Sequence, residues 1–263
     1  MALVEVRERE RIARFCRRRP GVHAYLLGDL DDFFWPHTRW LGWEEDGVLT
    51  ELALLYTEPE RPVLLAFQET SERTLSALLA AAEPQVPQRL YAHVTGPCLE
   101  QLLATRAVGS VHPHSKLALV DEAALARHDP GEQPEILGPT GLAEVEAFYR
   151  VAYPGTWFHP RLLETRRYIG IREGRELVAV AGVHVYSPEW RVATLGNVAT
   201  LPHARGRGLA LRACAQLCRL LVADGIDTIG LNVRDDNAAA LRVYRALGFV
   251  EVARYVEALL DPT

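Results

Sequence analysis

The sequence predicts an α/β protein made of two compact domains. Its 263 residues, 49% of them hydrophobic, are enough to bury one or two substantial cores. Apolar segments of strand length alternate with amphipathic segments of helical length in both halves of the chain. Between the halves, residues 127–139 include Asp129-Pro130-Gly131, Pro134 and Gly138-Pro139, a composition typical of a linker. We therefore expect one domain over residues 1–126 and a second over residues 140–263.

The N-terminal half is expected to begin with helical structure and to continue as a strand meander. The predicted elements are a helix over 12–32 interrupted at Pro20-Gly21, strands within 40–65, a helix from Ser71, a strand over 89–94, a helix over 99–105 and a strand over 116–120. No turn in this half places a glycine cluster at the start of a helix, so we expect it to bind no nucleotide of its own. His112 and His114 flank Pro113 without a third ligand nearby, so we expect loop histidines rather than metal ligands.

The C-terminal half is expected to follow two early helices with a hairpin and further strand and helix pairs. The predicted elements are helices over 141–149 and 161–168, strands over 177–186 and 191–200, a helix that ends at Gly225, a strand over 227–234, a helix capped by Asp235 or Asp236, and a last strand after Gly248.

The turn Arg205-Gly206-Arg207-Gly208 directly precedes the helix that ends at Gly225. Its two glycines allow the backbone to approach a ligand closely and leave amide N–H groups free at the helix N-terminus. The positive end of the helix dipole favours a diphosphate there, and the two arginines add positive charge. The alternative is a tight loop in which the glycines only supply a positive φ.

The strand and the helix that follow favour the anion site. The strand over 227–234 alternates apolar residues with polar or small ones, among them Asn232. The next helix carries Asn237, Ala240 and Tyr244 along one face at spacings of three and four. For Tyr244, the alternative interpretation is a tyrosine that only packs on an amphipathic helix.

These segments resemble the Gcn5-related N-acetyltransferase (GNAT) superfamily. The row Arg205-Gly206-Arg207-Gly208-Leu209-Ala210 looks like its acyl-CoA signature, Arg/Gln-x-x-Gly-x-Gly/Ala, and Asn237 through Tyr244 to Gly248-Phe249 resembles its closing helix. Phe158–Arg161, Gly182–Pro188 and Leu195–Thr200 look like a bacterial tandem subgroup, similar to glycine N-acyltransferase-like proteins, in which a degenerate N-terminal copy of the fold precedes the working copy. The resemblance implies two GNAT-like domains, each a mixed, mostly antiparallel sheet flanked by helices.

The resemblance also implies acetyl-CoA as the co-substrate and no metal. Backbone groups of Val198, Ala199 and Thr200 would hydrogen-bond the pantetheine arm, and the amides of the signature would bind the pyrophosphate. The implied signature residues are Arg205, Gly206, Arg207, Gly208, Leu209 and Ala210. The other implied contacts are Asn232, Asn237, Ala240 and Tyr244, the last with its hydroxyl near the thioester sulfur.

Attack of an amine on a thioester needs a base, a donor for the oxyanion and an acid for the leaving thiolate. A strand amide near Val198 or Ala199 suits the oxyanion, and Tyr244 suits the thiolate because phenol and thiol pKa values are close. Since residues 194–200 include no Asp or Glu, unlike many relatives, we name His184 on the neighbouring strand as the candidate base, acting directly or through water. A hydrogen-bonded core histidine is the alternative for His184. Further candidates for the base are Glu189, His159, Tyr153 and ordered water.

The leading hypothesis is acetyl transfer from acetyl-CoA to a primary amine of a small molecule or a peptide. The aromatic cluster Tyr153, Trp157, Phe158 and His159 either shapes the acceptor pocket or builds ordinary core. Two rivals remain open, namely a non-catalytic acyl-CoA sensor or scaffold, and a transferase that uses a longer acyl-CoA.

The composition restricts the partners. A formal net charge of −5 disfavours nucleic acid, and no apolar run approaches the roughly 20 residues of a membrane span. Four cysteines without disulfide or metal spacing favour a reducing, cytoplasmic compartment. The oligomeric state does not follow from the sequence.

Overall fold

The computed structural model describes residues 2–128 and 135–263. In chain order, its helices are α1 (Arg9–Cys16), α2 (Ala24–Gly28), α3 (Glu72–Ala82), α4 (Gly96–Leu103), α5 (Ala123–Ala126), α6 (Leu142–Ala152), α7 (Leu209–Ala223) and α8 (Ala238–Ala246). Its strands are β1 (Ala2–Glu5), β2 (Thr38–Glu45), β3 (Val48–Tyr56), β4 (Val63–Ala66), β5 (Leu90–Val94), β6 (Arg106–Leu119), β7 (Glu135–Ile136), β8 (Ile169–Glu173), β9 (Glu176–Ser187), β10 (Val192–Thr200), β11 (Thr228–Arg234) and β12 (Phe249–Pro262).

The chain forms two compact units. The N-terminal unit comprises Met1–Lys116, Val233–Asp236 and Glu251–Thr263, and the C-terminal unit comprises Leu117–Asn232 and Asn237–Val250. These units differ from the predicted domains 1–126 and 140–263 because the last strand of the chain joins the N-terminal unit. Six of the thirteen residues of the predicted linker 127–139, residues 129–134, lie outside the described residues.

In the N-terminal unit the strands lie in the order β1-β2-β3-β4-β5-β12-β6. The β4–β5 pair is parallel, and the pairs β1–β2, β2–β3, β3–β4 and β12–β5 are antiparallel. Its main hydrophobic cluster joins one face of this sheet with α3, whose buried residues are Leu75, Leu78, Leu79 and Ala82. Ala258 and Leu260 of β12 are fully buried in the same cluster.

In the C-terminal unit the order is β11-β10-β9-β8-β7, and only the β10–β11 pair is parallel. Strand β9 is buried without a break over residues 177–183, because it has a neighbour on each side and both α6 and α7 pack against it. Both units are thus mixed, mostly antiparallel sheets flanked by helices, and the predicted fold class is confirmed.

Three local predictions were wrong. The helix expected over 161–168 is a short 3-10 helix, Pro160–Thr165, because Arg166 adopts a left-handed conformation with φ 53° and ends it. The strand expected over 116–120 begins ten residues earlier, at Arg106. His112 and His114 therefore lie on β6 and not in a loop, and His114 is buried, with its Nδ1 2.9 Å from the carbonyl oxygen of His112.

Candidate active site

Strands β10 and β11 are paired only over their first halves. Their register runs from Val192 opposite Thr228 to Leu195 opposite Leu231 and stops there. Strand β10 nevertheless continues to Thr200, through Val198 and Ala199. Backbone groups on this part of β10 that would have bonded a parallel neighbour are therefore available to a ligand that enters the gap. The exceptions are the carbonyls of Asn197 and Thr200, which accept from the side chains of Tyr149 and Arg205.

A bulge interrupts β10 at the mouth of this gap. Gly196 lies opposite Gly182 and Ala199 opposite Val180, so that Asn197 and Val198 together face the single residue Ala181 of β9. Asn197 has a φ of 54°, a conformation that Asn tolerates better than most other residues. The bulge changes the direction of the backbone amides directly before Ala199 and Thr200.

The loop before α7 provides the predicted group of free amides. Gly206 and Gly208 both have a φ of 77°, and a Cβ at either position would meet no heavy atom of the described residues within 4 Å. The amide of Arg212 is the first to donate to a carbonyl of the turn, that of Gly208. Within the described chain, the amides of residues 206–211 have no protein acceptor. The open helix N-terminus can therefore bind an anion.

The arginines of this loop are partly engaged by the protein itself. Arg205 donates to the carbonyl oxygens of Thr200 at 3.2 Å and Ala152 at 3.3 Å, and its amide lies 3.4 Å from the carbonyl oxygen of Pro202. Arg207 forms a two-pronged ion pair with Glu173, at 2.9 and 2.6 Å. The side chain of Arg205 thus holds the loop in place, and Glu173 offsets the charge of Arg207.

Arg212 was not among the predicted site residues, although it lies in the first turn of α7. Its Nε is buried and has no hydrogen-bond partner among the described residues. A guanidinium at this end of the helix adds positive charge beside the free amides. Its position four residues after Gly208 was the signal in the sequence.

Helix α8 begins differently from the sequence prediction. Its N-cap is Asn237, whose Oδ1 accepts from the amide of Ala240 at 3.1 Å, and not Asp235 or Asp236. Asp236 instead forms an ion pair with Arg234. Ala240 and Asn232 of β11 are half-buried. Asn and Asp are equally good N-cap residues, so the sequence alone did not distinguish Asn237 from the two aspartates before it.

Tyr244 lies on α8 and is 7% exposed. Its ring packs edge-on against that of Phe249, with 5.9 Å between centroids. The side chain is therefore held in the interior of the C-terminal unit, where a phenol near a bound thioester would be shielded from water.

His184 lies at a second irregularity of the β9–β10 pair. Thr194 is opposite Val185 and Leu195 is opposite Val183, so that the register steps over His184. Its half-buried ring lies over Gly196, and the ring of Trp157 packs against it edge-on at 5.7 Å. The two irregularities bring His184 and the bulge at Asn197 to neighbouring positions of one strand pair.

The predicted aromatic cluster divides into two parts. Phe158 is half-buried and packs against Tyr149 and Tyr168, with centroid distances of 5.2 and 5.9 Å. Tyr153 and Trp157 are 49% and 46% exposed and are available to an acceptor. The Nδ1 of His159, a lesser candidate for the base, accepts from the amide of Arg161 at the start of the 3-10 helix.

A buried network around Asn197 escaped the sequence analysis. The hydroxyl of Tyr149 donates to the Asn197 carbonyl oxygen at 2.7 Å, that of Thr156 donates to its Oδ1 at 2.9 Å, and its Nδ2 donates to the hydroxyl of Tyr168 at 2.9 Å. Burial raises the pKa of both tyrosines above the usual value of a phenol, so they remain neutral donors. An Asn within a strand of otherwise apolar or small residues was the available signal, because Asn is depleted in strands.

The corresponding segment of the N-terminal unit is closed. Strands β4 and β5 stay paired to their ends, Ala66 opposite Val94, and the amide of Thr95 extends the pairing to the carbonyl of Ala66. At the start of α3, the fully buried carboxylate of Glu51 accepts from the amides of residues 69, 70 and 71 at 2.8–3.0 Å. An internal anion thus occupies the helix N-terminus, which favours the prediction that this half binds no nucleotide.

Comparison with known proteins agrees with this geometry. The sequence profile described as "Acetyltransferase (GNAT) family" matches residues 140–249. The N-alpha-acetyltransferase RimI of Mycobacterium tuberculosis is 36% identical over 118 residues, which are 42% of this chain and 71% of that protein. The chain belongs to the GNAT acetyltransferase family.

A mycothiol acetyltransferase of Clavibacter michiganensis subsp. michiganensis is 31% identical over 209 residues, or 68% of this chain. The match spans 63% of the length of that relative. Among solved structures, a tandem GNAT protein from the clavulanic acid biosynthesis pathway aligns with 100% of this chain and 99% of its own, with a TM-score of 0.56 and 15% identity. A likeness at that identity concerns the fold, and it extends over both units of this GNAT chain.

Two further properties concern only the part of the chain that the structure describes. Its helices include none with the length and apolar character needed to cross a membrane. Its His, Cys, Asp and Glu side chains include no group of three or more arranged to hold a metal ion.

Proposed function

We propose that this chain transfers an acetyl group from acetyl-CoA to a primary amine of a small molecule or a peptide. The observation that carries the proposal is the coincidence, within the C-terminal unit, of a gap beside β10 and unsatisfied amides at the start of α7. The gap beside β10 suits the extended pantetheine arm of a CoA thioester, and the amides at the start of α7 suit its diphosphate. The corresponding strand pair and helix of the N-terminal unit, β4–β5 and α3, lack both features.

Acetyl-CoA would be held at three places. The amides of residues 206–210, with Arg207 and Arg212 nearby, would bind the pyrophosphate, and the amide of Arg205 would contribute least because it already faces Pro202. Backbone groups of residues 198–200 would bond the pantetheine arm as an added strand does. Asn232, Asn237 and Ala240 would contact the arm from the side of β11 and α8.

The reaction requires deprotonation of the amine, stabilisation of an oxyanion and protonation of the leaving thiolate. The amine loses a proton to become the free base, and its nitrogen then attacks the thioester carbonyl carbon. An amide near Val198 or Ala199 stabilises the oxyanion. As the C–S bond breaks, Tyr244 donates its proton to the thiolate and is reprotonated by the proton that the nitrogen releases. The products are the amide and free CoA, and no other reactant is consumed.

His184 is the base that the geometry favours. Strand β10 has no Asp or Glu. Burial raises the pKa of Tyr149 and of Tyr168, so both phenols stay protonated and cannot act as the base. A histidine is neutral in a substantial fraction of molecules at neutral pH, so it can take a proton directly or through a water molecule. Deprotonation by water alone is the alternative, and it predicts that His184→Gln keeps the wild-type rate.

The acceptors to be tested cover primary amines of peptides and of small molecules. A suitable panel contains a peptide with N-terminal alanine, a peptide with an internal lysine, free cysteine, an amino sugar and a polyamine. Release of free CoA thiol from acetyl-CoA is measured with each acceptor, with thiol-containing acceptors assayed by mass of the product. We expect release above buffer with at least one acceptor, and acyl-CoA donors with longer chains are tested in parallel.

Two outcomes would count against the proposal. If CoA binds in a calorimeter and no acceptor is acylated, the chain is a sensor or scaffold. If a longer acyl-CoA gives a higher kcat/KM than acetyl-CoA, the class of reaction stands and the donor is corrected.

A further inference from the structure

The network around Asn197 joins parts of the chain that the proposed reaction uses for different substrates. Asn197 lies in the bulge that leads to the amides of residues 198–200, on the donor side. Thr156 lies in the loop after α6, directly before Trp157, on the side available to an acceptor. The hydrogen bond from Thr156 Oγ1 to Asn197 Oδ1, 2.9 Å long, connects the two sides.

The bulge itself is fixed independently of Thr156. The Asn197 carbonyl is held by Tyr149, and its Nδ2 is held by Tyr168, whose hydroxyl donates onward to the carbonyl of Val183 on β9 at 3.0 Å. Asn197 is only 3% exposed, so these bonds are shielded from water. Loss of the Thr156 contact alone would leave the bulge with its other two anchors.

The loop is otherwise held by aromatic contacts after Thr156, those of Trp157 with His184 and of Phe158 with Tyr149 and Tyr168. The amide of Thr156 closes a turn on the carbonyl of Tyr153, and Gly155 within this turn has a φ of 77° and no neighbour within 4 Å of a Cβ among the described residues. Tyr153 and Trp157 on either side are about half exposed. The hydroxyl of Thr156 adds a directional polar contact that ties this loop to β10.

We propose that Asn197 and Thr156 form a positioning pair. The pair would hold the loop after α6 (residues 153–157), here called the acceptor loop, at a fixed distance from the β10 bulge beside which the thioester would lie. This proposal rests on the proposed acetyl transfer. Neither residue touches the reacting atoms. The pair acts through the loop residues that contact the amine and through the backbone that holds the donor, so that an amine reaches the carbonyl carbon in an attacking geometry.

The decisive variant is Thr156→Val, which keeps the shape of the side chain and removes the hydroxyl. Thr156→Ser is its matched control, because it restores the donor with one methyl group less. Thr156 is half-buried and in a loop, so both variants are expected to fold. A purely structural role of the hydroxyl would lower stability without separating the two substrates.

Steady-state kinetics with the best acceptor of the amine panel separates the substrates. For Thr156→Val we expect KM for the amine to rise about tenfold or more, with KM for acetyl-CoA and the calorimetric Kd of CoA unchanged within about twofold. Thr156→Ser should restore the wild-type KM for the amine. Hydrogen exchange should also be faster at the amides of residues 155–157 in Thr156→Val and normal in Thr156→Ser.

Each contrary result has a distinct meaning. An unchanged KM for the amine, or an equal rise in both KM values, would overturn the positioning role while leaving the acetyl transfer intact. Unchanged hydrogen exchange in Thr156→Val would show that the loop is not tied through this bond, which also overturns the role. A wild-type protein that acetylates no amine would refute the proposed function itself, and the positioning role with it.

Discussion

The ring of His184 occupies the space that a side chain at position 196 would need. A Cβ on Gly196 would lie 2.3 Å from Cδ2 and 2.5 Å from Nε2 of His184, well inside van der Waals contact. A second pair repeats this relationship on the opposite strand, where a Cβ on Gly182 would lie 2.2 Å from the ring of Tyr168. Gly182 and Gly196 face each other in the register, so two glycines make room for two rings.

Gly196→Ala should therefore displace His184, although it changes none of the residues 198–200 that would bond the donor. If His184 is the base, we expect kcat to fall by about tenfold to a hundredfold and the Kd of CoA to stay constant. Gly109→Ala on β6 is the matched control, because its Cβ would meet Leu259 at an ordinary 3.6 Å. An unchanged kcat in Gly196→Ala, and equally in His184→Gln, would leave water as the base.

Gly208→Glu should abolish CoA binding, because a bulky anion would enter the group of amides intended for the diphosphate. The backbone strain of a left-handed residue is the same at Gly225, at the other end of α7, where φ is 78° and the space is equally open. Gly225→Glu is therefore the control. Both variants should lose about 1–2 kcal/mol of unfolding free energy, and only Gly208→Glu should lose CoA affinity in calorimetry. Equal CoA affinity in the two variants would contradict the site at α7.

The free amides at the start of α7 could be predicted from the sequence because glycines before a helix act through the backbone, and backbone geometry depends on local residues. The gap beside β10 could be expected only from the resemblance to the GNAT superfamily, since the point at which two strands separate leaves no local pattern in the sequence. The Asn197 network could not be predicted in detail. Its partners Tyr149, Thr156 and Tyr168 are 48, 41 and 29 residues away along the chain, and hydrogen bonds of that range leave no periodic pattern.

The contrast between local patterns and long-range contacts also explains the prediction errors in the N-terminal half. Strand β6 was predicted too short because its first part alternates exposed and half-buried residues around Pro113 and therefore lacks an apolar run. The insertion of β12 beside β5 joins residues more than 150 positions apart, as in Leu90 opposite Leu260. Local periodicity contains no information about such pairing.

Glu51→Gln should destabilise the N-terminal unit. The carboxylate accepts from three amides and from the hydroxyl of Thr74, and a glutamine would turn one of its acceptors into a donor that faces a backbone N–H. We expect a loss of about 2–4 kcal/mol in the free energy of unfolding, measured in urea. Glu100→Gln, on the exposed side of α4, is the control and should change little. A stability equal to wild type would show that these amides do not depend on Glu51.

Acid should weaken the N-terminal unit through His93. Burial lowers the pKa of His93 to about 4, against the partial opposition of Glu257, whose oxygen lies 3.7 Å from Nδ1. Between pH 6.5 and 4 the unfolded chain therefore binds a proton that the folded chain does not, and stability falls as the pH falls through this window. Between pH 7 and 5 the loss should be about 2 kcal/mol at most.

The variant His93→Leu should remove this part of the pH dependence. The substitution is tolerable because neither ring nitrogen of His93 has a hydrogen-bond partner among the described residues. Urea unfolding at pH 7 and pH 5 gives the comparison, and His203→Gln, at an exposed position, should keep the wild-type dependence. If His93→Leu retains the full loss between the two pH values, another group is responsible.

Removal of residues 251–263 should unfold the N-terminal unit although it leaves residues 1–116 intact. Strand β12 fills the position between β5 and β6, and its Ala258 and Leu260 are fully buried, while Arg61 donates to the Leu260 carbonyl at 2.9 Å. Without β12, two strand edges and their apolar faces would be exposed to water. Removal of Pro262 and Thr263 alone is the control, since both are exposed. Limited proteolysis should cut the first protein, and not the second, within residues 1–116.

A peptide of residues 249–263 added in trans should restore protection, because the position that β12 leaves is specific in register. Protection of the shortened protein without the peptide would mean that the N-terminal unit forms independently of its last strand.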